Sequence, residues 1–101
     1  MRNQISESEI EKRLRDEIRN LGGLCFKWVS PGNRGVPDRI VILKTGDVYF
    51  VELKTRVGQP SKIQIEQIRR LEKRHANVRV IYGMEGLENF MKEVRKQDAG
   101  V

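Results

Sequence analysis

The amino-acid sequence predicts a mixed α/β domain, in which a mixed four-stranded sheet is flanked by helices in the order α-β-β-β-α-β-α. Apolar residues recur at helical intervals in three segments of the chain. Short runs rich in valine, isoleucine and phenylalanine lie between these segments, and clusters of glycine, proline and asparagine separate the runs. A chain of 101 residues forms one core, so we expect a single domain over residues 1–101, with a frayed tail at 97–101.

The first helix is predicted to begin at Ser6 and Glu9, whose spacing is that of a capping box. Ile5 and Ile10 have the spacing of a hydrophobic staple around the same turn. Gly22-Gly23 is expected to end the helix, because glycine often follows the last helical residue. The apolar stripe predicted to face the sheet is Ile10, Leu14, Ile18 and Leu21.

Three strands are predicted next, over Leu24–Val29, Val36–Leu43 and Val48–Lys54. The second strand is entirely apolar after Arg39, which is typical of a central strand. A turn at residues 44–47 is expected to join the second and third strands into a hairpin.

The second half of the chain is predicted to add a helix, a strand and a helix. Ser61 and Gln64 open the first of these helices with another capping-box spacing, and we expect it to run to about His75. The strand covers Val78–Tyr82, and the last helix runs from Leu87 to about Lys96.

The charge balance favours a polyanionic partner. The 20 lysines and arginines oppose 14 acids, and the formal net charge is +6. This balance suits nucleic acid or an anionic membrane surface, although a merely soluble basic protein has the same composition. Since Cys25 and His75 are the only residues of their types, an intramolecular disulfide and the usual zinc sites are excluded. Without an apolar run long enough to span a bilayer, the protein is expected to be cytoplasmic.

Charged side chains follow the apolar part of the third predicted strand. Glu52 and Lys54 are two residues apart, so both project from the same face of the sheet. A functional pair at the end of a strand and a surface ion pair on an edge strand both have this pattern, and the latter contributes little to stability.

Asp38, at the start of the neighbouring strand, is the second candidate acid. If the hairpin turn is centred on Thr45-Gly46, Asp38 falls opposite Leu53, whose side chain projects from the wrong face. Convergence with Glu52 therefore requires a one-residue shift, from a three-residue turn or a bulge, and Pro37 makes such irregular pairing plausible.

Two carboxylates and an ammonium group at one end of a hairpin predict metal-assisted hydrolysis. The carboxylates repel each other unless a cation lies between them, and oxygen ligands suit Mg²⁺ or Mn²⁺. Such an ion polarises a phosphate oxygen and activates water, and Lys54 would orient that water or stabilise the developing charge. We therefore expect phosphodiester hydrolysis.

These residues resemble the signature of the PD-(D/E)xK nucleases, the restriction-endonuclease-like superfamily, and the fuller pattern looks like the VRR-NUC domain of the stand-alone viral and bacterial type. The likeness extends from about Glu7 to about Tyr82 and implies a restriction-endonuclease-like fold. The matching segments are Gly35-Val36-Pro37-Asp38-Arg39, Phe50-Val51-Glu52-Leu53-Lys54, Gly58 with Ser61 and Gln64, and Leu21-Gly22-Gly23 with Lys27-Trp28-Val29-Ser30-Pro31-Gly32.

The resemblance implies further site residues. The family places a glutamate of the first helix near the metal. Glu11 is our first choice, because its spacing to Gly22 is similar to that in archaeal Holliday junction resolvases, and Glu7 is the second choice. The backbone carbonyl of Leu53 is implied as a metal ligand. Gln64 matches a family glutamine that points at the site, or else it only caps its own helix.

Basic residues near the Pro-Asp motif are the expected nucleic-acid contacts. Arg34 and Arg39 flank the motif and could hold the DNA backbone, although Arg39 could instead neutralise Glu52. Trp28 either stacks on a base or packs in the core. The predicted contacts are Lys27, Arg34, Arg39 and Lys62.

The resulting hypothesis is an Mg²⁺- or Mn²⁺-dependent DNA endonuclease, selective for branched DNA such as Holliday junctions, in a bacterial or virus-infected bacterial cell. A chain with one site needs a second copy to cut two strands, so we expect a homodimer, with Phe90 and Met91 of the last helix as candidate contacts. The rival hypothesis is a non-catalytic basic nucleic-acid-binding module.

Overall fold

The structure, a computed structural model, describes residues 5–98 and confirms the predicted order of elements. The helices are α1 (Glu7–Asn20), α2 (Lys62–Glu72) and α3 (Gly83–Asp98), and the strands are β1 (Leu24–Lys27), β2 (Arg39–Ile42), β3 (Val48–Lys54) and β4 (Asn77–Tyr82). None of the helices described is long and apolar enough to cross a membrane.

The sheet has the strand order β1-β2-β3-β4, so β2 and β3 are its central strands. β1 pairs antiparallel with β2, and β2 pairs antiparallel with β3. β3 and β4 are parallel, and α2 provides the long crossover that a parallel pair requires. The sheet is therefore mixed, as predicted.

α1 and α3 pack together against one face of the sheet and enclose the core. The predicted stripe of α1 is confirmed at Ile10, Leu14 and Ile18, which are fully buried. Tyr49 of β3 meets Phe90 of α3 edge-on, with ring centroids 5.5 Å apart. The remaining core side chains are Val41, Leu43, Val51, Leu53, Ile81, Leu87, Met91 and Val94.

Phe90 and Met91, the candidate contacts of the expected dimer, lie in the core of the chain and are not available as an interface. Their side chains are 4% and 0% exposed. The apolar stripe of α3 is used within the chain, as is usual for an amphipathic helix that covers a sheet.

The opposite face of the sheet is only partly covered. α2 packs against β4, and none of its residues is buried. On this same face, at the edge formed by β1, Leu24 and Phe26 are 51% and 52% exposed. The strand alternation places Ile40, Ile42 and Phe50 on this same face. These five side chains are called the open apolar face below.

The capping box predicted at the start of α1 is present. Ser6 Oγ accepts a hydrogen bond from the Glu9 N–H, and the Glu9 carboxylate accepts one from the Ser6 N–H, both at 3.3 Å. Ile5 packs against the core beside this turn. The start of the helix is therefore fixed, and with it the direction in which Glu7 and Glu11 leave the backbone.

The first two strands are shorter in the structure than the sequence predicted. β1 ends at Lys27, and β2 begins only at Arg39. Pro37 has no N–H to donate to a strand ladder, and the Asp38 carbonyl is the last acceptor, taking the Trp28 N–H at 2.7 Å. The intervening loop turns at Asn33, whose N–H donates to the Ser30 carbonyl at 3.0 Å.

The helix boundaries also differ from the prediction. α2 ends at Glu72, and His75 has a left-handed φ of 65°, a conformation that closes a helix. α3 begins at Gly83 and continues to Asp98. Residues 97 and 98 of the predicted frayed tail are therefore helical, and residues 99–101 lie outside the described part of the chain.

Candidate active site

The hairpin between β2 and β3 turns through the three residues 44–46. The Leu43 N–H donates to the Asp47 carbonyl at 2.9 Å, and the Gly46 N–H donates to the Leu43 carbonyl at 2.8 Å. Gly46 has a φ of +93°, a left-handed conformation that glycine adopts without steric cost. This turn supplies the one-residue shift that convergence of the acids requires.

The shift aligns the two acids. Arg39 pairs with Val51, so continuing the register by one residue sets Asp38 opposite Glu52. Directly opposite residues project from the same face of an antiparallel pair. Asp38 Oδ2 also accepts a hydrogen bond from the Leu53 N–H at 3.1 Å, which holds the carboxylate at the end of β3.

Glu52 is a buried carboxylate that is only 1% exposed. Its Oε2 atom lies 3.2 Å from Lys54 Nζ and accepts a hydrogen bond from Gln64 Nε2 at 2.9 Å. Its Oε1 atom is buried and has no hydrogen-bond partner among the described residues. Leaving a buried carboxylate oxygen without a donor is costly, so this position is suited to binding a cation or a proton.

The surroundings of Glu52 disfavour its charged form. Burial raises the pKa of Glu52 to about 7 from its ordinary value of 4.5. The Asp38 carboxylate and, more weakly, that of Glu7 act in the same direction, while the hydrogen bond and the charge of Lys54 act against them. A cation placed beside Glu52 and Asp38 would reverse this balance.

Gln64 performs both of the roles that the sequence left open. Its Oε1 atom accepts the Ser61 N–H at 2.8 Å, and Ser61 Oγ accepts the Gln64 N–H at 3.2 Å, which completes the capping box of α2. Its Nε2 atom donates to Glu52. The cap therefore fixes the amide that orients the buried carboxylate.

A loop contact seats the start of α2 over the site. Gly35 has a φ of +83°, and a β carbon there would lie 2.9 Å from the carbonyl carbon and oxygen of Ile63. Gln67 Nε2 donates to the Arg34 carbonyl at 2.9 Å across the same junction. Gln67 was not among the predicted site residues, because no sequence pattern distinguishes it from other polar positions of a helix.

Six of the predicted site residues line one cavity of about 320 Å³ between α1 and the ends of β2 and β3. Both helix-1 acids, the aspartate of the motif and the middle residue of the Glu-x-Lys segment are among them. The lining residues are Glu7, Ser8, Glu11, Lys27, Asp38, Arg39 and Leu53. The cavity therefore gives access to the Asp38 carboxylate from the α1 side.

The two helix-1 acids have different surroundings. Glu11 is held by two arginines, with Arg15 at 3.2 Å and Arg39 Nε at 3.3 Å. Glu7 is exposed, forms no ion pair with the described residues, and its charge raises the pKa of Glu52. Arg39 therefore neutralises Glu11 and not Glu52.

The other predicted nucleic-acid contacts are accessible. Lys27, Arg34 and Lys62 are exposed, and Lys27 lines the cavity of the candidate site. Trp28 is half-buried, and its ring centroid lies 5.1 Å from that of Phe50, so it packs against the sheet.

The donor set fits a divalent ion of the Mg²⁺ type. The described residues contain no group of three Asp, Glu, His or Cys side chains close enough to form a closed metal cage. Mg²⁺ does not need one, since it is commonly held by one or two carboxylates and keeps several waters. Asp38 and the unpartnered oxygen of Glu52 meet that requirement.

Comparison with known proteins finds a relative and a similar solved structure, although no family model matches the chain. The protein named "Putative nuclease p44" of Acyrthosiphon pisum secondary endosymbiont phage 1 is 48% identical over 67 residues, which cover 66% of this chain and 72% of that protein. A solved structure described as "VRR_NUC domain" aligns with a TM-score of 0.81 and 32% identity, over 85% of this chain and 94% of that chain.

The fold is that of a restriction-endonuclease-like nuclease. Within that class the chain belongs to the VRR-NUC family, as its sequence pattern predicted, and it is a nuclease.

Glu52→Gln should stabilise the protein above pH 8 when divalent ions are absent. Folding raises the pKa of Glu52, so the stability that its protonated form provides is complete below about pH 4.5 and is lost as the pH rises through about 7. The side-chain amide of the introduced glutamine is neutral at every pH, so the variant does not lose stability in this way. We expect a gain on the order of 3 kcal/mol at pH 8 that falls to about 1 kcal/mol near pH 5 and vanishes below about pH 4, measured by denaturant unfolding in EDTA.

The matched control for this experiment is Glu88→Gln, an exposed position on α3 where little change is expected at either pH. If Glu52→Gln is no more stable than the wild type at pH 8, Lys54 and Gln64 already compensate the buried charge.

Proposed function

We propose that this nuclease is an Mg²⁺- or Mn²⁺-dependent DNA endonuclease whose active site comprises Asp38, Glu52 and Lys54. The observation that supports this most directly is the buried, unpartnered Oε1 atom of Glu52 beside a second carboxylate. A net charge of +6 favours DNA as the polyanionic substrate.

Asp38, Glu52 and the backbone carbonyl of Leu53 would hold the ion. When bound, the ion supplies Lewis-acid activation of a phosphate oxygen and lowers the pKa of a water molecule. Asp38 is prepared for this role, since the Leu53 N–H occupies Oδ2 and leaves Oδ1 available.

Lys54 and Gln64 act on the site from the α2 side. Lys54 has three N–H donors, and after its contact with Glu52 it retains donors for the attacking water or for a phosphate oxygen. Gln64 is a positioning residue, because it donates to Oε2 of Glu52 and leaves Oε1 free. Burial of these groups strengthens every charge interaction among them.

We assign the helix-1 acid to Glu7 in preference to Glu11. The charge of Glu11 is already balanced by Arg15 and Arg39, whereas Glu7 carries a negative charge that reaches Glu52. Glu11 would then hold the side chain of Arg39 in the lining of the cavity.

A homodimer would provide the second active site that cleavage of two strands requires. The open apolar face fits a second copy of the chain, because it combines two half-exposed large side chains with three partly buried ones and contains no charged group. An aromatic side chain can bury roughly 150–250 Å², and a standard interface buries about 800 Å² per partner. Phe26 and Phe50 would each contribute part of that area.

Branched DNA, such as a Holliday junction, is the proposed substrate. A two-fold symmetric dimer presents two identical sites, and a four-way junction presents two like strands related by the same symmetry. The resemblance to stand-alone VRR-NUC proteins and junction resolvases supports this choice. A non-catalytic nucleic-acid-binding module would need neither the buried Glu52 nor its alignment with Asp38.

Asp38→Asn and Glu52→Gln should each reduce cleavage by at least about 100-fold while DNA binding is retained, because each removes a metal ligand and also a charge that repels phosphate. The assay uses Mn²⁺ or Mg²⁺ with four-way junction, flap, single-stranded and duplex DNA of matched sequence. Cleavage by either variant at the wild-type rate would place the active site elsewhere. Equal rates on junction and duplex would contradict the proposed selectivity.

Glu7→Gln should reduce the affinity for Mn²⁺ more than Glu11→Gln, measured by calorimetric titration without DNA. Its carboxylate forms no ion pair with the described residues and acts on Glu52, whereas Glu11→Gln mainly frees Arg15 and Arg39. An expected difference of about 10-fold corresponds to the loss of one supporting carboxylate. The reverse order of the two variants would return the assignment to Glu11.

The wild-type protein should sediment at twice the chain mass of 11.8 kDa, and Phe26→Asp should sediment as a monomer. A charge on the open apolar face cannot be buried without a partner. Val57→Asp is the control, because Val57 is a 64%-exposed apolar residue outside that face. A wild-type monomer, or a dimer that persists in Phe26→Asp, would exclude this interface.

A further inference from the structure

Four basic residues on α2 and its C-cap form one exposed surface, called the basic ridge below. They are Lys62, Arg69, Arg70 and Lys73. Their spacing brings them to one side of the helix, where residues three, four, seven and eight apart are neighbours. With Ile65 and Glu66 they line a groove of about 420 Å³.

The ridge residues have no acidic partner among the described residues, although Glu66 and Glu72 lie on the same helix. Elsewhere many basic side chains are ion-paired, as Lys12 is with Asp16, Arg15 and Arg39 with Glu11, Lys44 with Asp98, Arg79 with Glu93, and Arg95 with Glu17. A side of a helix that keeps four exposed positive charges unpaired is suited to a polyanion.

The ridge begins at the candidate active site. Lys62 is the first residue of α2, two positions before Gln64, whose amide contacts Glu52. From Lys62 to Lys73 the helix rises about 16 Å, at about 1.5 Å per residue. Phosphates of one DNA strand follow each other at about 3.4 Å along the duplex axis, so the ridge matches about five of them.

We propose that the basic ridge binds the phosphate backbone of the duplex arm beside the bond that is cut. Guanidinium groups suit phosphate because their N–H donors match two phosphate oxygens at once. Contacts of this kind position the duplex without reading its sequence. The statement that the bound arm lies beside the bond that is cut rests on the proposed function. The binding of DNA by the basic ridge does not depend on it.

The test compares two triple variants that lose the same charge. The ridge variant is Arg69→Gln, Arg70→Gln and Lys73→Gln. The control variant is Arg13→Gln, Arg19→Gln and Lys92→Gln, which are exposed positions on α1 and α3 without an acidic partner among the described residues. Fluorescence anisotropy with a labelled four-way junction in EDTA gives Kd over a range of salt concentrations, and circular dichroism melting confirms folding.

The ridge variant should bind about 10- to 100-fold more weakly at about 0.1 M salt, and its slope of log K against log salt should be smaller by about 2 to 3, or about 0.9 for each phosphate that is no longer neutralised. The control variant should change Kd less than about 3-fold. Equal weakening in both variants would indicate a general effect of net charge and overturn the proposal. Wild-type binding by the ridge variant, or the absence of DNA binding by the wild type, would also overturn it.

Two further outcomes separate this inference from the proposed function. A ridge effect seen only with an RNA duplex of the same sequence would overturn the assignment to DNA. If the wild type shows the ridge effect but cleaves no DNA with Mg²⁺ or Mn²⁺, the catalytic proposal fails and the binding surface stands.

Discussion

The register between β2 and β3 is the constraint on which both the core and the candidate site depend. Side-chain direction alternates along a strand, so a slip of one residue would turn Val41 out of the core and turn Ile40 into it. The same slip would separate Asp38 from Glu52. The three-residue turn ending at Gly46 prevents it. Because one register serves both purposes, the packing energy of the core also holds the acids in line.

The site concentrates negative charge where the protein can least accommodate it. Glu52 is fully buried and faces Asp38, and its Oε1 atom has no donor among the described residues. Lys54 and Gln64 satisfy only Oε2, so the protein atoms compensate the carboxylate in part. A core built for stability alone would place an apolar residue here. The proposed function gives the retained acid a role as a cation ligand, and burial, which raises the pKa of Glu52 to about 7, lowers its charged fraction in the absence of a cation.

The sequence specified the elements that local patterns control. Helix periodicity and the Ser6–Glu9 capping box predicted α1, and the apolar run after Arg39 predicted a central strand. The order of elements and the family likewise followed from local motifs. The register between β2 and β3 could not be decided from the sequence, because turns of two and three residues both fit residues 44–47. The use of Phe90 and Met91 in the core was missed, since an amphipathic stripe does not reveal whether it covers its own sheet or another chain.

α2 links the loop before the Pro-Asp motif, the buried acid of β3 and the basic ridge, which are far apart in the sequence. Gly35 allows the loop before the Pro-Asp motif to approach the backbone of Ile63, and this contact sets the start of α2 against β3. The capping amide of Gln64 then reaches the buried carboxylate, while the opposite side of the helix remains free and basic. One short helix thus positions an acid on its inner side and offers charge to a polyanion on its outer side. The inner side of α2 combines the half-buried Ile68 and Leu71 with two glutamines, Gln64 and Gln67, which hydrogen-bond to Glu52 and to the Arg34 carbonyl.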